Sequence, residues 1–287
     1  MREDFCAVIF SHDRAGDVKT INALNNSGYT GDWFIVVDHM DDKEVYEEEY
    51  GEDKVVYFDK EEVVDEIDRG DNFEIKGGLI YGRNKVFDLV EELGYKYFIQ
   101  LDDDYTGFSW RFNKDFNYEY NKVENLDSLF EELVSFMERS GCDSVAISQG
   151  GDFIGGEESY MAEKVRVKRK AMNTWVCSVD REFPYMGSMN DDVNAYVRNQ
   201  QLGKLFFTVN VASINQPSTQ SEEGGMTDIY LDTGTYVKSF YTLLYSPSSV
   251  SLTKIGNKNM RIHHNISWRN TVPKIVPEDV KKGDDLK

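Results

Sequence analysis

The chain has 287 residues, 40% of them hydrophobic, and carries 52 acidic against 32 basic side chains for a net charge of -20. That length can bury a sizeable core without cross-links, and the charge excludes a general, non-specific coat for nucleic acid. Cys6, Cys142 and Cys177 lie far apart with no metal-ligand spacing, and no apolar run approaches the roughly 18 residues of a membrane span, so a soluble cytoplasmic protein is expected.

The charge is uneven. Residues 1 to 150 hold 36 acidic and 15 basic side chains (net -21), whereas residues 151 to 287 hold 16 and 17 (net +1). The first half would repel a polyanion unless a cation intervenes; the second could admit one at a local patch.

In chain order, Phe5 to Phe10 reads as a strand buried on both faces, followed by the polar turn Ser11-His12-Asp13-Arg14 and a helix over residues 17 to 26. Ser11 and Arg14 are candidates for holding a nucleotide base or phosphate, unless this is an ordinary strand-to-helix turn. A second strand, Trp33 to Val37, ends in Asp38, whose carboxylate can accept from a ribose or base edge. Asp41 to Asp53 reads as solvated acidic surface before a short strand at residues 55 to 58. Gly82-Arg83-Asn84 opens a helix that Gly94 closes, with Arg83 either a contact for the charged part of a donor or a surface residue.

The strongest signal follows. Tyr95 to Leu101 is a buried parallel strand that delivers Asp102, Asp103 and Asp104 to a crevice. In extended backbone Asp102 and Asp104 share a face and can share a divalent cation, while Asp103 meets another partner. Hard oxygen ligands favour Mg2+ or Mn2+. The chain has no P-loop, and no Gly-x-Gly-x-x-Gly follows its first strand.

Beyond the carboxylates, Tyr105, Phe108, Trp110, Phe112, Phe116, Tyr118 and Tyr120 form either a platform for a sugar or base or a hairpin packed on the domain. A helix over residues 126 to 139 and a strand over 144 to 148 follow. The basic run Lys164, Arg166, Lys168, Arg169 and Lys170 either contacts phosphates or balances the acidic half. Next, Asn190-Asp191-Asp192 starts a helix closed by Gly203: one residue can cap it, and a second carboxylate can act as general base. Residues 216 to 235, with Ser221 to Gly225, read as a loop over a cleft or a surface excursion. In Met260 to Arg269, His263 or His264 can complete the metal shell, and strand alternation predicts that the two rings point apart.

The rhythm of strands and helices predicts an α/β fold with a mostly parallel central sheet flanked by helices. Phe10 to Arg14, Val37-Asp38, Gly82-Arg83-Asn84 and Gln100 to Asp104, in that order, resemble the GT-A class of nucleotide-sugar glycosyltransferases. The resemblance implies a Rossmann-like sheet, with the family's Asp-x-Asp metal motif at Asp102 and Asp104 and the metal histidine at His263 or His264. It also maps the Glu-Asp, Arg, Gly pattern onto Asp191-Asp192, Arg198 and Gly203, with Asp191 in place of the usual Glu and Asp192 as catalytic base. One domain over residues 1 to 287 is implied, with a nucleotide-binding half (1 to 104) and an acceptor-binding half carrying the metal segment (105 to 287).

Within that class the chain is similar to phage-encoded enzymes that attach sugars to hydroxymethylated pyrimidines in DNA, which would place it in a host cytoplasm. The resemblance implies a UDP-sugar donor such as UDP-glucose, Mn2+ or Mg2+, and a hydroxymethylated DNA acceptor. Rival readings are a transferase acting on a glycan, protein or small molecule, a nucleotidyltransferase, and a non-catalytic carbohydrate-binding or assembly protein.

Overall fold

The computed structural model describes residues 1–72, 78–216, 236–255 and 261–271. The elements run β1 (Phe5–Phe10), α1 (Lys19–Asn26), β2 (Asp32–Val37), α2 (Met40–Tyr50), β3 (Val55–Tyr57), α3 (Ile80–Glu92) and β4 (Tyr97–Asp102). Then come β5 (Gly107–Phe112), β6 (Tyr118–Lys122), α4 (Leu126–Ser140), β7 (Ser144–Ser148), β8 (Val167–Lys168), β9 (Trp175–Ser178), α5 (Asp191–Gln201) and β10 (Phe206–Asn215). The described chain ends with α6 (Lys238–Tyr245), β11 (Val250–Ile255), β12 (Arg261–Ile266) and α7 (Trp268–Thr271).

A ten-stranded sheet of order β3-β2-β1-β4-β9-β7-β10-β5-β6, with β8 paired to β10, spans both halves of the sequence. β1 to β4 are parallel, as their unbroken apolar runs predict. The sheet is nevertheless mixed. β9 enters antiparallel between β4 and β7, and β5 and β8 run antiparallel to β10.

The alternation of β1 shows why helices cover both faces. Phe5, Ala7 and Ile9 join a core with Leu24 of α1 and Leu129, Phe130 and Leu133 of α4. Cys6, Val8 and Phe10 join the opposite core with Val86 and Val90 of α3 and Val193 and Val197 of α5. α3 starts two residues before Gly82, which lies inside the helix. A Cβ there would stand 3.0 Å from the Phe10 ring, so glycine lets α3 lie close to β1. The three cysteines are free and buried. No described helix is long and apolar enough to cross a membrane.

One stretch differs from the sequence reading. Met40 to Tyr50 is a helix rather than loose acidic surface, because Asp42 and Tyr46, one turn apart, are buried beneath a solvated outer face. The basic run contributes only Val167 and Lys168 to the sheet.

Trp175, fully buried on β9, stacks edge-on to Tyr185 and Phe206 at centroid distances of 5.2 and 5.6 Å. Trp175→Ala is therefore expected to cost about 3–5 kcal/mol, read as a lower urea midpoint. A loss within experimental error of zero would contradict this packing.

Candidate functional site

The site lies at the carboxyl edge of β1, β2 and β4, joined by the start of β9, which runs the other way. The last residue of β4, Asp102, sits level with Phe10 of β1, and its main chain is held to α1. Thr20 donates its hydroxyl to the Asp102 carbonyl at 2.6 Å and its amide to the Asp103 carbonyl at 3.2 Å. The three carboxylates thus leave the sheet from a fixed backbone.

Asp103 turns away from its neighbours. Ser11 donates to its Oδ2 at 2.6 Å, Arg14 donates to its Oδ1 at 3.0 Å, and the buried Tyr46 hydroxyl lies 2.6 Å from Ser11 Oγ. Burial raises the Asp103 pKa, opposed by Ser11 and Arg14. Ser11, Arg14 and Asp103 therefore form one network joining the β1 turn to β4.

Asp102 faces the other way, toward Arg83. This guanidinium, on a side chain only 5% exposed, lies 3.3 Å from Asp102 Oδ1 and 3.1 Å from Asp191 Oδ2. Burial disfavours its charge, but Asp191 and Asp102 outweigh that and hold its pKa above the ordinary arginine value. Arg83 is thus not a surface residue: it cross-braces the two acidic segments. Burial, with the charges of Asp104, Asp103 and Asp191, pushes Asp102 up to about 7 against the pull of Arg83.

Asp191 and Asp192 form the first turn of α5. Asn190 occupies the N-cap position in left-handed backbone (φ 61°) without capping the helix. Its amide donates instead to Thr242 Oγ1 at 2.6 Å and lies 3.3 Å from His264 Nδ1. Asp192 accepts from the Val193 amide at 2.7 Å, and burial together with Asp191 pushes it up to about 6.

His263 and His264 lie on β12. Although the strand is extended, their rings pack against each other at a centroid distance of 4.1 Å rather than pointing apart. Burial, His263 and Lys238 bring His264 down to about 4, and burial lowers His263, so both rings are neutral at neutral pH. The fold lays His264 against Asn190 at the start of α5. Among the described residues it does not gather Asp102, Asp104 and either histidine into a compact three-ligand group. The groups whose ligand atoms all lie within 4.8 Å of one another are His12, Asp38 and His39, and His12, Asp13 and Asp42.

Asn173 is a neighbour of the site that sequence reasoning missed. It sits just before β9 in left-handed backbone (φ 60°), and its amide donates to Asp102 Oδ2 at 3.4 Å and to Gln216 Oε1 at 3.3 Å. Gln149 donates to its side-chain oxygen, and Tyr105 donates to its carbonyl at 3.0 Å. The only sequence signal was a single asparagine ahead of Thr174 and Trp175.

The aromatic cluster divides by burial. Tyr105, Phe108 and Phe112 are buried, whereas Phe116 and Tyr120 are exposed on the β5–β6 hairpin. The basic run is partly neutralised from within: Arg166 pairs with Glu163, and Lys170 pairs with Asp152 at 2.7 Å. Arg169 donates to Gln200 Oε1 at 2.9 Å, while Lys164 is exposed. Ser221 to Gly225 and Met260 lie outside the described residues.

A mixed sheet flanked by helices, with acidic segments meeting at its carboxyl edge, is the arrangement of a GT-A-like glycosyltransferase. Residues 5–225 match the family described as TET-Associated Glycosyltransferase, and the chain belongs to that family. Comparison with curated proteins gives no match.

Replacing Arg83 by Met would leave Asp102 and Asp191 without their shared counter-charge. The expected loss is about 3–5 kcal/mol when the carboxylates are ionised. Because protonation relieves the penalty, the loss should grow as pH rises from about 5 to about 8 in urea melts. An equal loss at both ends of that range would rule out the brace.

Proposed function

We propose that the chain transfers a sugar from a nucleotide-sugar donor, a UDP-sugar such as UDP-glucose, to an acceptor hydroxyl with inversion at the sugar carbon. The single observation that carries this reading is the convergence of Asp102 and Asp191 on Arg83 at one sheet edge, in a member of a glycosyltransferase family.

Residues 1 to 104 form the nucleotide half, where Ser11, Arg14, Asp38 and Asp103 face the nucleoside and its phosphates. Arg83 supports that half by fixing Asp102. Asp102 and Asp104 supply the hard oxygens that a divalent cation takes, while neither histidine of β12 is gathered beside them. Asp102 and Asp104 would hold Mn2+ or Mg2+, with His263 or His264 having to move in as a further ligand, and the bound cation would neutralise charge developing on the departing diphosphate. In residues 105 to 287, Asp192 takes the acceptor proton as the acceptor oxygen bonds to the anomeric carbon. The bond from that carbon to the diphosphate breaks, and its electron pair leaves with UDP.

The acceptor we favour is 5-hydroxymethylpyrimidine in DNA, reached through Lys164, Arg166, Lys168, Arg169 and Lys170. The family's TET-associated description supports it. One observation favours a glycan, protein or small-molecule acceptor instead: Arg166 and Lys170 already pair with Glu163 and Asp152, which weakens the basic run as a phosphate track. Mass spectrometry of nucleotide sugars mixed with hydroxymethylated DNA, unmodified DNA and simple glycans, with Mn2+ present, decides between them. A hexose added only to hydroxymethylated DNA is expected. Transfer only to glycans would overturn the DNA acceptor; a nucleoside monophosphate added to the product would identify a nucleotidyltransferase, and no transfer at all would favour a binding protein.

Two sets of variants test the roles. Asp102→Ala and Asp104→Ala are each expected to abolish transfer and metal-dependent donor binding while leaving the circular dichroism spectrum unchanged. Turnover retained in both would remove their assignment. Asp192→Asn should lower kcat at least about 100-fold with donor affinity preserved. Since the base must be ionised, and its pKa is raised to about 6, the wild-type rate should climb as pH rises through that value and level above it. Asp192→Asn should lack this limb, and a limb that persists would assign the base to another group.

A further inference from the structure

We propose that His12, His39 and Asp38 form a binding site for a zinc-class divalent cation, separate from the Asp102 crevice. The loops after β1 and β2 bring the two imidazoles to a centroid distance of 4.8 Å, and one ligand atom from each of the three residues lies within 4.8 Å of the others. Two imidazoles and one carboxylate make a nitrogen-rich set that suits zinc better than magnesium, and three protein ligands leave a coordination position for water or a ligand.

Their partners orient both rings for this role. His12 Nδ1 lies 2.6 Å from Oδ2 of Asp42, whose side chain is only 8% exposed and whose Oδ1 accepts from the Asp13 amide at 3.2 Å. The carboxylate can hold the proton on Nδ1, as the outer carboxylate of a carboxylate–histidine–zinc unit does, which leaves the Nε2 lone pair for a metal once the Asp13 carboxylate opposite it moves aside. His39 reaches the same state by another route. Its Nε2 lies 2.5 Å from the Lys60 ammonium, which has no lone pair to give, so the imidazole nitrogen is the acceptor. Lys60 Nζ also lies 3.9 Å from Asp38 Oδ2, so a cationic group already sits between two of the three ligands. A metal ion would displace it. The mostly exposed Asp13, 3.2 Å from His12 Nε2, would likewise give way.

The site goes beyond the proposed transferase reaction and touches it at one residue. Asp38 is also assigned to the donor, so cation and nucleoside would compete for this strand end. The test uses no donor, and its outcome is independent of whether sugar is transferred. Zinc chloride is titrated calorimetrically into the full chain with Mg2+ in large excess to fill hard-oxygen sites. One zinc per chain is expected, with binding lost in His12→Ala and in His39→Ala. Asp42→Asn should weaken binding about 10–100-fold, and Lys60→Met should tighten it by removing the competing ammonium. Zinc affinity unchanged in both histidine variants, or lost in Asp104→Ala while the histidine variants retain it, would overturn the proposal.

Discussion

One buried guanidinium holds this edge of the molecule together. Arg83 reaches from α3 to Asp102 at the end of β4 and to Asp191 at the start of α5, so a single cation ties the central strand to a helix from the other half of the sequence. Opposite charges about 4 Å apart attract by about 4 kcal/mol at the effective dielectric of a protein site, against several kcal/mol for dehydrating each ion. Two carboxylates on one arginine tip that balance, and losing the arginine would leave both uncompensated. The brace therefore does more to position the site than to stabilise the fold as a whole.

A second network holds the opposite side of the same strand end. Asp103 is tied through Ser11, Arg14 and Tyr46 to the β1 turn and α2, while Thr20 of α1 clamps the main chain of Asp102 and Asp103. Since successive side chains of extended backbone diverge, one strand end can be anchored through Asp103 and still present Asp102 on its other face. Asn173 adds a third tether, from a strand that runs in the reverse direction. Three elements distant in sequence therefore converge on a few adjacent backbone units.

Features written into local pattern were legible in the sequence. The apolar runs of β1, β2 and β4, the periodic stripes of α1 and α4, and the side-to-side divergence of Asp102 and Asp103 follow from strand and helix geometry. Features that depend on distant partners were not legible. β9 is four residues long and pairs antiparallel between two parallel strands, a choice its own residues do not encode. α2 was obscured because its buried positions, Asp42 and Tyr46, do not make an apolar stripe. Arg83 read as either a donor contact or a surface residue, and its bracing role was hidden because both of its carboxylate partners lie in other segments. The twin histidines were misread for a related reason: strand alternation sets the direction of Cβ, but side-chain rotation still let the two rings meet.

The charge balance of the crevice links these pieces to chemistry. Asp102, Asp191 and Asp192 gather near one deeply buried arginine, and burial, with the neighbouring carboxylates, pushes Asp102 up to about 7 and Asp192 up to about 6. A site in that state takes up either protons or a cation of higher charge density. A divalent ion entering beside Asp102 would release the proton held there, so metal affinity and pH are linked through the same carboxylate. Asp192 follows the braced Asp191 in the first turn of α5, and its carboxylate accepts from the Val193 amide. In the proposed transfer the brace would separate a side that holds the cation from a side that takes the acceptor proton.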